Sequence, residues 1–124
     1  MNNQKIWISI AGMIGFIGVA LGAFGAHRLS DQISANMLSI YKTGVFYHLI
    51  HAIAILAISF YGNENFYKFA LMFVIGIILF SFSLYIYAQT GNTTIAMITP
   101  VGGVFLLIGW ALIFVEGIRM KNEF

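Results

Sequence analysis

Between Phe69 and Val115 the chain carries no charged residue. A helix crossing a hydrocarbon layer ~30 Å thick at ~1.5 Å per residue needs about 20 mostly apolar residues, so this run is too long for one crossing and long enough for two. It contains its own break at Thr90-Gly91-Asn92-Thr93-Thr94, where Gly and Asn favour a turn and the Thr hydroxyls supply local hydrogen bonds. The run therefore divides into spans near 69–89 and 95–115.

Two further stretches are long enough to cross. Ile6 to Ala26 and Thr43 to Gly62 are also free of charge, although His48 and His51 interrupt the second. Of 124 residues, 60% are hydrophobic and 8% charged, against about 25% charged in a soluble domain. Six Lys and Arg with four Asp and Glu cannot clothe a soluble fold of this size, so lipid is the solvent that fits. The basic residues Lys5, Arg28, Lys42, Lys68, Arg119 and Lys121 stand singly at the edges of apolar runs, as juxtamembrane anchors do, and make no patch for nucleic acid. With no Cys, disulfides, thiolate chemistry and Cys-ligated metal are excluded.

The expected fold is all-α: an integral membrane four-helix bundle, one transmembrane domain over 1–124, with spans near 6–26, 43–62, 69–89 and 95–115. Gly62-Asn63-Glu64-Asn65 joins the second and third spans, and joins this short make antiparallel hairpins. The first connection, His27 to Lys42, is longer. Its Leu29, Ile33, Met37 and Ile40 recur at helical steps opposite Ser30, Asp31, Ser34 and Asn36, which predicts either a short amphipathic helix on the membrane surface or an outward extension of the second span. Ala23-Phe24-Gly25 resembles a signal-peptidase site, but an apolar stretch of 21 residues exceeds a signal h-region, so the first span is expected to be retained. An even number of spans puts both termini on one side. Lys5, Lys68, Arg119 and Lys121 there outnumber Arg28 and Lys42 opposite, which favours cytoplasmic termini.

Helices in lipid associate through close packing, hydrogen bonds and small residues. Ala11, Gly15, Gly18, Gly22 and Ala26 form one face of the first span, with Gly18 and Gly22 a GxxxG pair. The fourth span, with Gly102, Gly103 and Gly109, is the natural partner for that face, and a second copy is the alternative. Pro100 falls in the first turn of the fourth span, where its missing N–H costs little.

Polar groups inside a span are costly and mark candidate sites. His27, Tyr47, His51, Ser81, Ser83, Tyr85 and Thr99 all fall in the half of the bundle facing the first and third loops. His48 and His51, three residues apart, are expected on one helix face. A metal site would have to recruit the three His with Asp31 at unsuitable depths and without HExxH-type spacing. An ion pathway lacks acidic groups, since Glu116 lies at one end. An aromatic-lined pocket for a lipid, quinone or other amphipathic ligand fits the composition better. For each residue taken alone, hydrogen bonding to a neighbouring helix is the simplest account.

Several of these residues recur in motifs: Gly22-Ala23-Phe24-Gly25-Ala26-His27, Tyr47 and His51, Leu79-Phe80-Ser81 with Ser83-Leu84-Tyr85, Thr99-Pro100-Val101-Gly102-Gly103, and Gly109-Trp110. Over nearly its whole length the chain resembles the bacterial domain-of-unknown-function 423 family, related to the animal transmembrane protein 256. The resemblance implies a four-span protein of the bacterial inner membrane and no established activity. His48 stands where relatives can carry Gln, and Phe82 where Gly is common, so these two positions depart from the family pattern. The function expected is non-enzymatic binding of a membrane partner, self-association included, or of a lipid-like ligand, without cofactor or metal. A His-based membrane enzyme or a small transport unit is the alternative.

Overall fold

In the computed structural model, residues 2–121 are described. Five α-helices follow one another: α1 (Asn3–His27), α2 (Ala35–Tyr61), α3 (Tyr67–Thr90), the single turn α4 (Thr93–Ala96) and α5 (Thr99–Arg119). Four stretches, α1 with the turn after it, α2, α3 with the turn before it, and α4 with α5, are long and apolar enough to cross a membrane. Each boundary follows from local chemistry. The side chains of Asn2, Ser34 and Asn92 accept hydrogen bonds from backbone N–H groups of the next helix's first turn, which have no helical partner. Gly62 (φ 75°) and Gly91 (φ 68°) end α2 and α3 in the left-handed region that Gly alone enters freely.

The expected surface helix in the first connection does not form. Residues Leu29–Asp31 make one 3₁₀ turn, and from Ala35 onward the chain is already α2, extended ahead of the uncharged stretch that begins at Thr43. Leu29, Ile33, Met37 and Ile40 then pack with Tyr41, Tyr85 and Ala88. The apolar stripe buries itself against protein, because the extension of α2 lies beside the end of α3 and offers it a partner.

Helices α2 and α3 form the centre of the bundle; α1 packs on α2 and α5 on α3, with no substantial α1–α5 interface among the described residues. The glycine face of α1 therefore meets α2, not the fourth span. A Cβ on Gly18 would stand 2.7 Å from Leu49 Cδ2 and 3.0 Å from His48 Cδ2, and one on Gly22 would stand 3.2 Å from Val45 Cγ1. Gly15 has nothing within 4 Å. The α5 glycines serve α3: Gly102 lies against the backbone of Leu79 and Phe80, and Gly109 against the Phe73 ring. A short connection makes α1 the antiparallel neighbour of α2, which uses up the α1 groove before α5 is reached.

The half of the bundle near the termini is apolar, built on Ile55, Phe69, Phe73, Ile77 and Leu106. Its edge is fixed by Trp7 stacked on Tyr67 (centroids 6.0 Å apart) and by Gln4 Nε2 donating to the Ser59 carbonyl at 3.0 Å.

Candidate functional site

The polar half resolves into two separate groups on opposite sides of α3. Three residues on a helix turn through ~300°, leaving neighbouring side chains ~60° apart. Here that angle is enough to send His48 toward α1 and His51 toward α5, so the two rings do not share a site.

His48, 1% exposed, lies between α1 and α3. Its Nε2 is 2.8 Å from the Ile14 carbonyl, which can only accept, so Nε2–H donates. In the neutral ring Nδ1 then accepts from the Tyr85 hydroxyl at 2.9 Å. Tyr85 packs on Tyr41 (centroids 5.0 Å apart), whose hydroxyl donates to the Leu21 carbonyl at 2.5 Å. Gly18 and Gly44 make the room, since a Cβ at either would strike His48 with Leu49, or Tyr85, respectively. The group ties α1, α2 and α3 together through buried hydrogen bonds.

His51, also buried, lies between α3 and α5. Its Nδ1 is 2.7 Å from the Tyr47 carbonyl and must donate. Its Nε2 receives the Trp110 indole N–H at 2.9 Å. Indole nitrogen can only donate, so this geometry holds His51 as the neutral Nδ1–H tautomer with no lone pair left. The ring also meets Phe73 edge-on (centroids 5.1 Å apart) and stacks on Tyr47 (6.1 Å, 11° between planes). Above this pair, a crevice of about 380 Å³ opens between α2 and α5, lined by Tyr47, Phe80, Gly103, Val104, Leu107 and Trp110 among others.

The other sequence-expected residues divide. Thr99 donates to Ser83 Oγ at 2.5 Å while Ser83 donates to the Phe80 carbonyl at 2.8 Å, fastening the start of α5 to α3. Ser81 is fully buried, and its Oγ has no hydrogen-bond partner among the described residues. His27 ends α1 with its side chain exposed and takes no part in either group. Among the described residues no three His, Asp or Glu side chains are gathered as a metal site would require.

Three residues gain their importance only from the fold: Trp110, His48 and Tyr41. Trp110 appeared only within a motif, although a Trp more than one turn inside a span, away from the interfacial belt, needs a buried partner for its N–H. His48 departs from the family pattern, yet it is the most buried of the His residues. Tyr41 lies in the segment for which the sequence predicts either a surface helix or an outward extension of the second span.

The family model described as "Protein of unknown function (DUF423)" matches residues 21–103. The chain belongs to the DUF423 family. It is 40% identical over 124 residues to the UPF0382 inner membrane protein YgdD of Escherichia coli (strain K12), covering 97% of this chain and 95% of that one. It is 40% identical to a UPF0382 membrane protein of Haemophilus influenzae (94% and 96% covered) and 34% identical to the UPF0382 membrane protein YwdK of Bacillus subtilis (strain 168) (94% and 98% covered). No solved structure matches. Together with its four apolar helices, these relatives make this DUF423 member a multi-pass membrane protein.

Chemically, the His48 group is saturated inside the protein, and His51 has no free nitrogen. What the His51 side offers to the bilayer is shape and aromatic surface: the rings of Tyr47, Phe80 and Trp110 around a crevice in which the Tyr47 hydroxyl, on a side chain 39% exposed, has no hydrogen-bond partner among the described residues.

Proposed function

We propose that this protein is a non-enzymatic membrane protein that takes a lipid-like ligand from the bilayer into the crevice between α2 and α5. The observation that carries this reading is the pairing of Trp110 with His51, which commits both imidazole nitrogens and leaves an aromatic, apolar crevice beside them. A general base, a proton carrier or a metal ligand needs a free lone pair, and His51 has none. Apolar pockets with few polar groups suit ligands recognised by shape.

The same reading puts the chain in a bacterial inner membrane, in keeping with the name of the Escherichia coli relative. Its termini are cytoplasmic by the excess of Lys5, Lys68, Arg119 and Lys121 over Arg28 and Lys42.

Gly103 provides the test. A Cβ there would meet the Phe80 ring at 3.7 Å, an ordinary contact, so a larger side chain fills the crevice without parting the helices. Wild type and Gly103→Leu would be purified from the same membranes and their bound lipids measured by mass spectrometry. Lipid retained by wild type and lost from the variant is the expected result; equal retention by two equally folded proteins would refute the proposal.

A further inference from the structure

Two cavities border Trp110. The first is the crevice already described. The second, about 260 Å³, lies toward the termini between Ala54, Ala57, Ile58, Tyr61, Phe66 and Ile113. Helices α2 and α5 run in the same direction and form no substantial backbone interface; the Trp110–His51 bond and its surrounding rings bridge them over α3. The indole thus closes the inner end of one cavity and the outer end of the other.

Its depth gives that partition a meaning. The apolar stretch from Thr93 to Arg119 is 27 residues long, with Leu106 at its middle. Trp110 follows that middle by about one turn, and a helical side chain leans over the turn N-terminal to its own Cα, which brings the indole back toward the bilayer midplane. From Pro100 to Trp110 α5 rises ~15 Å at ~1.5 Å per residue, and ~9 Å of that rise lies on the loop side of Leu106, within the ~15 Å of one leaflet of a ~30 Å hydrocarbon layer. The crevice spans more than half of that leaflet.

We propose that the crevice holds one acyl chain of a phospholipid from the leaflet on the side of the first and third loops, and that Trp110 is the floor that sets how long a chain it accepts. The inference rests on reading the crevice as a lipid site and adds the ligand class and the residue that determines specificity. A crevice open to the hydrocarbon layer is filled by hydrocarbon, since an unfilled one forfeits dispersion contacts along its walls. Its wall is mostly aromatic and aliphatic apart from the Tyr47 hydroxyl, and Trp110 and His51 satisfy each other, so nothing at its inner end calls for a polar group. His51 fixes the floor from below: its Nδ1–H bond to the Tyr47 carbonyl orients the ring, and its Nε2 then holds the indole across the gap. His51 is a positioning residue, and Trp110 is the one that meets the end of the chain.

The test uses full-length protein in vesicles of phosphatidylglycerol with a graded series of saturated chain lengths, with bound lipid read by native mass spectrometry. Wild type is expected to enrich chains up to a ceiling and to discriminate against longer ones. Trp110→Ala, which joins the two cavities, is expected to shift that ceiling to longer chains. Trp110→Leu keeps an apolar side chain against Phe73 and lowers the floor less, so a smaller shift in the same direction is expected even if the Ala variant is poorly folded. A bound-lipid profile that stays at the wild-type ceiling in the folded variants, while Gly103→Leu still abolishes binding, would overturn the floor and leave the lipid site standing. No retained lipid in wild type would overturn the site itself.

Discussion

Replacing Gly102 with Ala adds one methyl group at the tightest point between α3 and α5. Its Cβ would come within 2.6 Å of the Leu79 carbonyl carbon and 2.8 Å of Phe80 Cα, and closer still to the Phe80 nitrogen. All three are backbone atoms inside a helix, so no side chain can rotate away. Restoring an ordinary separation of ~3.5–4.0 Å requires the helices to part by about 1 Å. That movement loosens Leu106 in the hollow above Gly76 and Phe73 beneath Gly109, which are the other close contacts of the same interface. Overpacking of this kind costs ~1–3 kcal/mol, and backbone on both sides argues for the upper end. The higher helix propensity of Ala returns ~0.5–1 kcal/mol. A net loss of about 2 kcal/mol is expected, which lowers the folded-to-unfolded ratio roughly 30-fold. Gly103→Ala, one residue away, meets only the Phe80 ring at 3.7 Å and is expected to change stability by less than about 0.5 kcal/mol beyond its propensity gain. Reversible unfolding in mixed micelles, followed by helical circular dichroism, measures both. Equal stabilities for the two variants would refute the placement of α5 on α3.

In the His48 group, Tyr85→Phe removes the donor to Nδ1, and a loss of ~0.6 kcal/mol, at most ~1.7 kcal/mol, is expected, the average and the maximum for hydrogen bonds between membrane helices. A double-mutant cycle with His48→Phe should show the same coupling, and additive losses would mean the bond contributes nothing. His51→Phe strands the Trp110 N–H, so a loss of ~1–3 kcal/mol is expected by the same unfolding assay, with recovery on adding Trp110→Phe. Reporter fusions after Asp31 and after Asn92 should report the same side of the membrane, opposite to fusions at Asn63; different sides for the first two would rule out four crossings.

The four helices were legible because lipid makes hydropathy nearly decisive: four uncharged stretches and the turn signals at Gly62 and Gly91 leave little choice of where to cross and turn, although α2 starts at Ala35, well before the uncharged stretch from Thr43. The partners of the helices were less legible. Glycine spacing announces a close approach without naming the helix that makes it, and the short first connection gave the α1 face to α2. The stripe from Leu29 to Ile40 has the same period on a membrane surface as on an extended helix, and only the neighbouring end of α3 decides between them. At the candidate site, spacing put His48 and His51 on one face, but the packing of α1 on α2 and of α5 on α3 divides them. Trp110 was out of reach for a related reason. Its bond to His51 joins residues 59 apart in sequence, and no local pattern encodes that meeting.

The crevice account is tested most directly by NMR of the protein in lipid nanodiscs, observing magnetisation transfer from acyl-chain protons to the Trp110 indole and the Gly103 amide. Strong transfer from the terminal methyl of the chain to the indole, and from the upper methylenes to Gly103, is the pattern predicted for a chain standing in the crevice. Contacts to both sites no stronger than those at the outward-facing Met13 of α1 and Phe114 of α5 would contradict it, because ordinary lipid would then be all that the crevice holds.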